Sequence, residues 1–277
     1  MFRHSNTGLL IDIALKEDLG NEGDITSDAI FEKEEQLFIL VSKDNGILCG
    51  IDIFASVMRR VDENIRVASF FDDADPVTSG DIIAEISGNV RSVLRAERTA
   101  INFVSLLSAT ATKTSHFVKE TAGRVIILDT RKTIPGFREL QKYAVRCGGG
   151  RNHRMGLYDM VMIKDNHIDA AGGISNAVNK IREKWGKRYF IEVETRNLDE
   201  IREALVCEVD RIMLDNMDNS MMKEAVRLIG RKCETEASGN MTHDRLTSAA
   251  STGVGYISAG ALTSSIKSFD FSLKKKP

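Results

Sequence analysis

Phe190-Ile191-Glu192-Val193, Arg211-Ile212-Met213-Leu214, Cys233-Glu234-Thr235-Glu236-Ala237 and Tyr256-Ile257-Ser258-Ala259 are the stretches whose reading decides the fold. Each is a short strand pattern, the third the weakest, and helical spacing at Ile174 to Trp185, Leu198 to Val206, Met221 to Ile229 and Arg245 to Ala250 alternates with them. Val125 to Leu128 and Met160 to Ile163 extend the series backwards. Strands that alternate with helices build a parallel sheet, either closed into a barrel or open and doubly wound. Both remain open, but the step of about twenty residues from Glu194 to Asp215, Glu236 and Ser258 favours a barrel of successive short βα units. No glycine-rich dinucleotide fingerprint speaks for the open sheet.

Ahead of this region the rhythm differs. Leu9 to Leu19 reads as a helix stopped by Gly20-Asn21-Glu22-Gly23-Asp24. Phe38 to Val41, Ile65 to Phe71 and Ile82 to Ile86 read as strands of a small sheet. From about Arg91 to Val118 proline and glycine are absent, and Leu94, Ile101, Val104 and Ser108 fall near one face, so a long helix is expected to link two domains.

With 277 residues, 42% hydrophobic and 28% charged, the chain can bury an ordinary core, which argues against disorder. Met1 to Gly20 mixes charged residues among its apolar ones and offers no signal peptide or membrane span, so a soluble, cytoplasmic protein is expected. Cys49, Cys147, Cys207 and Cys233 lack the spacing of a zinc site or a disulfide scaffold. A net charge of -2 gives no reason to expect nucleic acid as a partner. The average hides a local excess: Arg131, Lys132, Arg138, Lys142, Arg146, Arg151, Arg154 and Lys164 against Glu139 and Asp159. That segment is expected to bind anions, although any one of these residues could equally sit on a solvated face.

Strand ends carry residues that do not belong in a core: Asp129-Thr130-Arg131-Lys132, Lys164-Asp165-Asn166-His167, Glu194, Asp215-Asn216, Glu236-Ala237-Ser238-Gly239 and Gly260. In parallel α/β folds sites are built at that edge. Singly, Asp165 or Asn166 reads as a helix cap and Asp129 as the partner of an arginine; the succession is harder to dismiss. Arginine's fork matches a carboxylate and lysine's point charge suits phosphate, so the substrate should carry both. Glu194 and Asp215 would be badly matched to such an anion without ribose hydroxyls or a hard cation between them, and magnesium held partly through water fits. Backbone N–H groups at Ser238-Gly239 and Gly260 could hold a phosphate. His153 follows Cys147-Gly148-Gly149-Gly150 in a loop from which it could donate to a carboxylate. His167 is expected to orient its neighbours, and His4, His116 and His243 to take surface or helix-end roles. Cys147 has no partner at a spacing that supports a nucleophile.

The runs Ala96-Glu97-Arg98-Thr99-Ala100-Ile101-Asn102, Asp129-Thr130-Arg131-Lys132-Thr133-Ile134-Pro135-Gly136 and Asn152-His153-Arg154-Met155-Gly156-Leu157-Tyr158-Asp159 closely resemble the quinolinate phosphoribosyltransferase family. Glu17-Asp18-Leu19-Gly20, Gly23-Asp24-Ile25-Thr26-Ser27, Ile163-Lys164-Asp165-Asn166-His167 and Leu214-Asp215-Asn216 carry the likeness nearly end to end. The resemblance implies an N-terminal α/β sandwich over residues 1–108 and an incomplete, roughly seven-stranded α/β barrel over 109–265. A tail, about 266–277, is expected to pack on the sandwich. It further implies transfer of phosphoribosyl from phosphoribosyl pyrophosphate (PRPP) to quinolinate with decarboxylation, a step of NAD biosynthesis. Arg98, Arg131, His153, Arg154 and Lys164 would bind quinolinate. Lys132, Glu194, Asp215, Ser238, Gly239 and Gly260 would serve PRPP, with Glu194 and Asp215 on magnesium and Lys132, Lys164, Glu194 and Asp215 closest to the chemistry. A head-to-tail homodimer would share Arg98 across its interface, with assembly to a hexamer left open. Ser264, where many relatives have histidine, and Ala109-Thr110, in place of a usual Gly-Ile, depart from the pattern and put phosphate affinity in question.

Overall fold

In the computed structural model, which describes residues 6–276, the chain folds as two units. One consists of Met1–Ser115, Ile134–Gly149 and Ile266–Pro277, the other of His116–Thr133 and Gly150–Ser265. His4 lies outside the described residues, as do the side chains of His243 and Asp244.

The first unit contains the strands Glu35–Ser42 (β1), Gly46–Ile47 (β2), Arg66–Ser69 (β3), Pro76–Val77 (β4) and Ile82–Asn89 (β5). Its main sheet is antiparallel, in the order tail strand Phe271–Lys275, β1, β5, β3. Side chains alternate along a strand, so Phe38 and Leu40 of β1 face the same way as their partners Ile86 and Ala84 of β5. That face is buried with Phe54, Val57 and Met58 of helix Ile51–Val61, and with Val93, Val104 and Leu107 of helix Val90–Glu120. Gly20 ends the first helix, Thr7–Leu19, at a φ of 54°, a conformation that side chains resist, and its N–H donates to Lys16 O. Asp24 caps the next helix by accepting from the N–H groups of Thr26 and Ser27.

The sequence reading names neither a helix at Arg138–Cys147 nor a strand in the tail, for which it expects only packing on the sandwich. Helix Arg138–Cys147 buries Leu140, Lys142, Ala144 and Val145, with Leu140 and Ala144 joining the core described above. Its basic residues disguise an i, i+4 apolar pair. The tail strand runs beside β1, where Phe271 is buried and its ring centroid lies 4.8 Å from that of Phe269. Phe271→Ala should therefore cost roughly 3–5 kcal/mol of stability, measurable as a lower midpoint in chemical denaturation; an unchanged midpoint would contradict the packing role.

The second unit holds Ile126–Leu128 (β6), Val161–Ile163 (β7), Ile191–Thr195 (β8), Arg211–Asp215 (β9), Glu234–Ser238 (β10) and Tyr256–Ser258 (β11). All six are parallel, in the order β6-β11-β10-β9-β8-β7. This is the incomplete α/β barrel, with helices after each strand from β7 onward. Where about seven strands are expected, six are present, and a single parallel bridge between Leu128 and Arg151 stands on the free side of β6. Gly148, Gly149 and Gly150 immediately precede Arg151, and glycine weakens a strand by its conformational freedom. Asn197 and Asp218 start the helices after β8 and β9 by accepting backbone N–H groups. Among the described residues no helix is long and apolar enough to cross a membrane.

Candidate active site

The barrel strands place alternate residues on opposite faces. Ile191, Val193, Ile212, Leu214, Ala237 and Ile257 are buried and apolar, as a helix-covered face requires. The other row is polar: Glu192 and Glu194 on β8, Arg211 and Asp215 on β9, Glu234, Glu236 and Ser238 on β10, Tyr256 and Ser258 on β11. The register keeps the row in layers. Glu192 and Glu234 both pair with Arg211, Glu194 and Glu236 with Met213, and Ser238 with Asp215.

At the C-terminal ends of these strands the second unit has a cavity of about 520 Å³. Arg131, Lys132, His153, Arg154, Lys164, Glu194, Asp215, Ser238, Gly239 and Gly260 all line it, with Thr130, Asn216, Asn240 and Met241 among their neighbours. Arg98 does not; it is exposed on helix Val90–Glu120, in the first unit. Of the remaining basic residues in the segment expected to bind anions, Arg138, Lys142 and Arg146 lie on the helix of the first unit and Arg151 at the bridge; none lines the cavity. Cys147 is also in the first unit, close to Cys49 and Asp73.

Local bonds explain the positions. Asp129, fully buried, accepts from the side chain of Asn152 and from the N–H of His153 at 3.0 Å. Burial and then the adjacent Arg131 pull the pKa of Arg154 below its ordinary value, so two guanidinium groups share a partly desolvated space. Also lining the cavity, Lys164 Nζ forms an ion pair with Glu194 Oε2, and Asp215 Oδ2 accepts from Asn216 Nδ2 at 2.7 Å. His167 takes an orienting role, accepting the N–H of Lys164 at Nδ1, 3.0 Å away. Gly239 has a φ of 90°, and a Cβ there would meet Asn216 Oδ1 at 2.2 Å, so the backbone passes bare beside the cavity. Ser264 Oγ donates to Gly260 O at 3.0 Å.

Beneath the cavity lies a group of which strand-end reasoning named Glu236 but missed Glu192 and Arg211. Glu192 and Glu236 are fully buried, and burial first of all pushes each pKa up to about 7. Arg211 Nη1 stands 3.1 Å from Glu236 Oε2 and 3.9 Å from Glu192 Oε2, its guanidinium carbon 4.2 Å from the centroid of the Tyr256 ring. His153, Glu192 and Glu236 bring ligand atoms within 4.8 Å of one another, as a metal site would, but the guanidinium already supplies the positive charge there. The signal in the sequence was the i, i+2 spacing of Glu192 with Glu194 and of Glu234 with Glu236, charge at strand period inside apolar runs.

Residues 24–108 match the model of the quinolinate phosphoribosyl transferase N-terminal domain, and residues 109–274 that of its C-terminal domain. The chain belongs to the quinolinate phosphoribosyltransferase family. It is 43% identical to a chloroplastic nicotinate-nucleotide pyrophosphorylase (carboxylating) of Arabidopsis thaliana, the match covering 96% of this chain and 81% of that protein. With a probable nicotinate-nucleotide pyrophosphorylase of Bacillus subtilis it shares 42% identity over 93% of this chain and 89% of the relative. The solved nicotinate-nucleotide pyrophosphorylase of Francisella tularensis superposes with a TM-score of 0.94 at 43% identity, covering 98% of this chain and 96% of that one.

The pKa of Glu236 carries a pH signature. Between the ordinary value of 4.5 and about 7 the folded state keeps a proton that the unfolded state releases. The contribution to stability is therefore complete below 4.5 and is lost as pH rises through about 7. Glu236→Gln, which cannot ionise, should gain thermal stability relative to the parent as pH is raised across that window. Melting curves that shift in parallel would refute the assignment.

Proposed function

We propose that the protein transfers the phosphoribosyl group of PRPP to quinolinate and removes a carboxylate, giving nicotinate mononucleotide, pyrophosphate and carbon dioxide. The observation that carries this reading is the one cavity lined by Arg131 and Arg154 together with Glu194 and Asp215. Like charges held together in a partly desolvated space cost energy until an anion relieves them, and a dicarboxylate can accept from both guanidinium groups. The names of the relatives point to the same activity.

In this proposal Arg131, His153, Arg154 and Lys164 surround the pyridine ring, and Arg98 arrives from the neighbouring subunit of a head-to-tail dimer, with a hexamer left open. Lys132, Glu194, Asp215, Ser238, Gly239 and Gly260 hold PRPP, the glycines leaving room for phosphate against the backbone. Glu194 and Asp215 offer hard oxygen donors on adjacent strands, and Lys164 already holds one of them. A cation bound through few carboxylates, water and substrate phosphate suits this set, which fits magnesium. When bound, magnesium would neutralise charge on the leaving pyrophosphate. Lys132 does the same from the protein side. The arginines aim the pyridine nitrogen at the anomeric carbon; the new C–N bond forms as the bond to pyrophosphate breaks and its electron pair departs with the leaving group. The pyridinium then accepts the electron pair of the C–C bond as carbon dioxide leaves, and that carbon takes up a proton. The junction of the two family models between residues 108 and 109 supports a sandwich over 1–108 and a barrel over 109–265, with Ile134–Gly149 grouped with the first compact unit although it lies within the barrel span. The working compartment is the cytoplasm.

With magnesium and PRPP, quinolinate should release carbon dioxide and form the mononucleotide while nicotinate does not react. A phosphoribosyltransferase for another base on the same scaffold, or a silent anion-binding relative, would leave quinolinate untouched. Arg131→Ala and Arg154→Ala each remove a charge-assisted contact of about 1.5–3 kcal/mol, so kcat/KM should fall roughly 10- to 150-fold; normal turnover would dismiss those roles. For Arg98, mixing Arg98→Ala with Arg131→Ala protein, each impaired alone, should raise turnover above that of either variant, because a hybrid dimer has one intact site. Turnover no higher than that of either variant would show that Arg98 acts within its own chain.

A further inference from the structure

Both ring nitrogens of His153 face protein groups. Nδ1 accepts the N–H of Arg154 at 2.7 Å, so Nδ1 carries no proton. Nε2 stands 3.0 Å from Glu192 Oε2 and 3.6 Å from Glu236 Oε2. The alternative tautomer would set two N–H groups against each other at Arg154, so the neutral ring carries its proton on Nε2, which closely approaches the two carboxyl groups without a hydrogen bond of ordinary geometry. Among the described residues, neither oxygen of Glu192 nor Oε1 of Glu236 accepts a hydrogen bond of ordinary geometry. Their contacts with His153 and Arg211 offset only part of the cost of burial, which still raises both pKa values. Arg211 in turn lies between the rings of Phe190 and Tyr256, with centroids at 5.2 and 4.2 Å. The stretch that carries Arg154 is thus tied at three points: Asn152 and the His153 N–H to Asp129, and the Arg154 N–H to the imidazole.

We infer that Glu192 and Glu236, with Arg211, form a buried positioning group that holds His153 in its Nε2–H tautomer, so that Nδ1 fixes the backbone of Arg154 and aims its guanidinium at the substrate carboxylate. None of the three acids and bases beneath the floor touches substrate; they act through the imidazole, as outer partners orient a ligating histidine elsewhere. The inference rests on the proposed function only for the identity of the carboxylate.

The test combines spectroscopy with kinetics. In protein labelled with ¹⁵N at its five histidines, assigned by the loss of signals in His153→Gln, ring ¹⁵N shifts at neutral pH without substrate should show His153 protonated at Nε2 and bare at Nδ1. Glu192→Leu should give a mixture of tautomers, raise KM for quinolinate about tenfold and leave KM for PRPP within about twofold. Glu192→Gln, whose carbonyl can still accept from Nε2–H, should recover most of both. An Nδ1–H or doubly protonated ring in the parent protein overturns the inference, as does a rise in both KM values without a tautomer change. Should Glu192→Leu fail to fold, the parent tautomer and the Glu192→Gln kinetics decide alone. Absence of any quinolinate turnover in the parent would instead defeat the proposed function, and the ¹⁵N reading would still judge the positioning group.

Discussion

The two-residue period of the barrel strands, and the way it sorts side chains between a helix-covered face and an interior, underlies everything else in the second unit. A small parallel barrel ordinarily fills its interior with branched apolar residues. Here the interior row carries Glu192, Arg211, Glu234 and Glu236 below, and Glu194, Asp215 and Ser238 above. Each buried ion would cost several kcal/mol if left alone. Arg211 offsets part of that cost by contacting Glu192, Glu234 and Glu236 together. A polar floor of this kind has little freedom to rearrange, because every shift uncovers a charge.

That floor supports a cavity lined by groups of both charges. Arg131 and Lys132 follow β6, Arg154 follows the bridge, and Glu194 and Asp215 end β8 and β9. Basic and acidic groups come from different strands, so the distance between them is set by barrel geometry rather than by side-chain flexibility. An aromatic diacid suits the first set and a phosphorylated sugar with its cation suits the second. Lys164, paired with Glu194, bridges the two.

Most of the strand-end residues were legible because the chemistry of each is unusual at its place: an aspartate or lysine directly after a short apolar strand has few structural uses. The barrel helices were legible for a similarly local reason, their apolar spacing. Other features were not. Helix Arg138–Cys147 was hidden because its buried face includes Lys142, whose burial depends on partners far away in the chain. The expected seventh strand shrank to one bridge beside a run of glycines. Glu192 and Arg211 looked like ordinary strand residues until the register placed them side by side.

The sequence by itself determined the alternation of strands and helices, the chemical types gathered at the strand ends, and the family to which the order of motifs belongs. These follow from local spacing and residue identity. Only the tertiary structure decided which basic residues line the cavity, that Phe271–Lys275 completes the first sheet, and that His153 turns both nitrogens toward protein groups. Such contacts join residues distant along the chain, and their energies depend on burial and on angle, which no stretch of sequence expresses until the strands are paired.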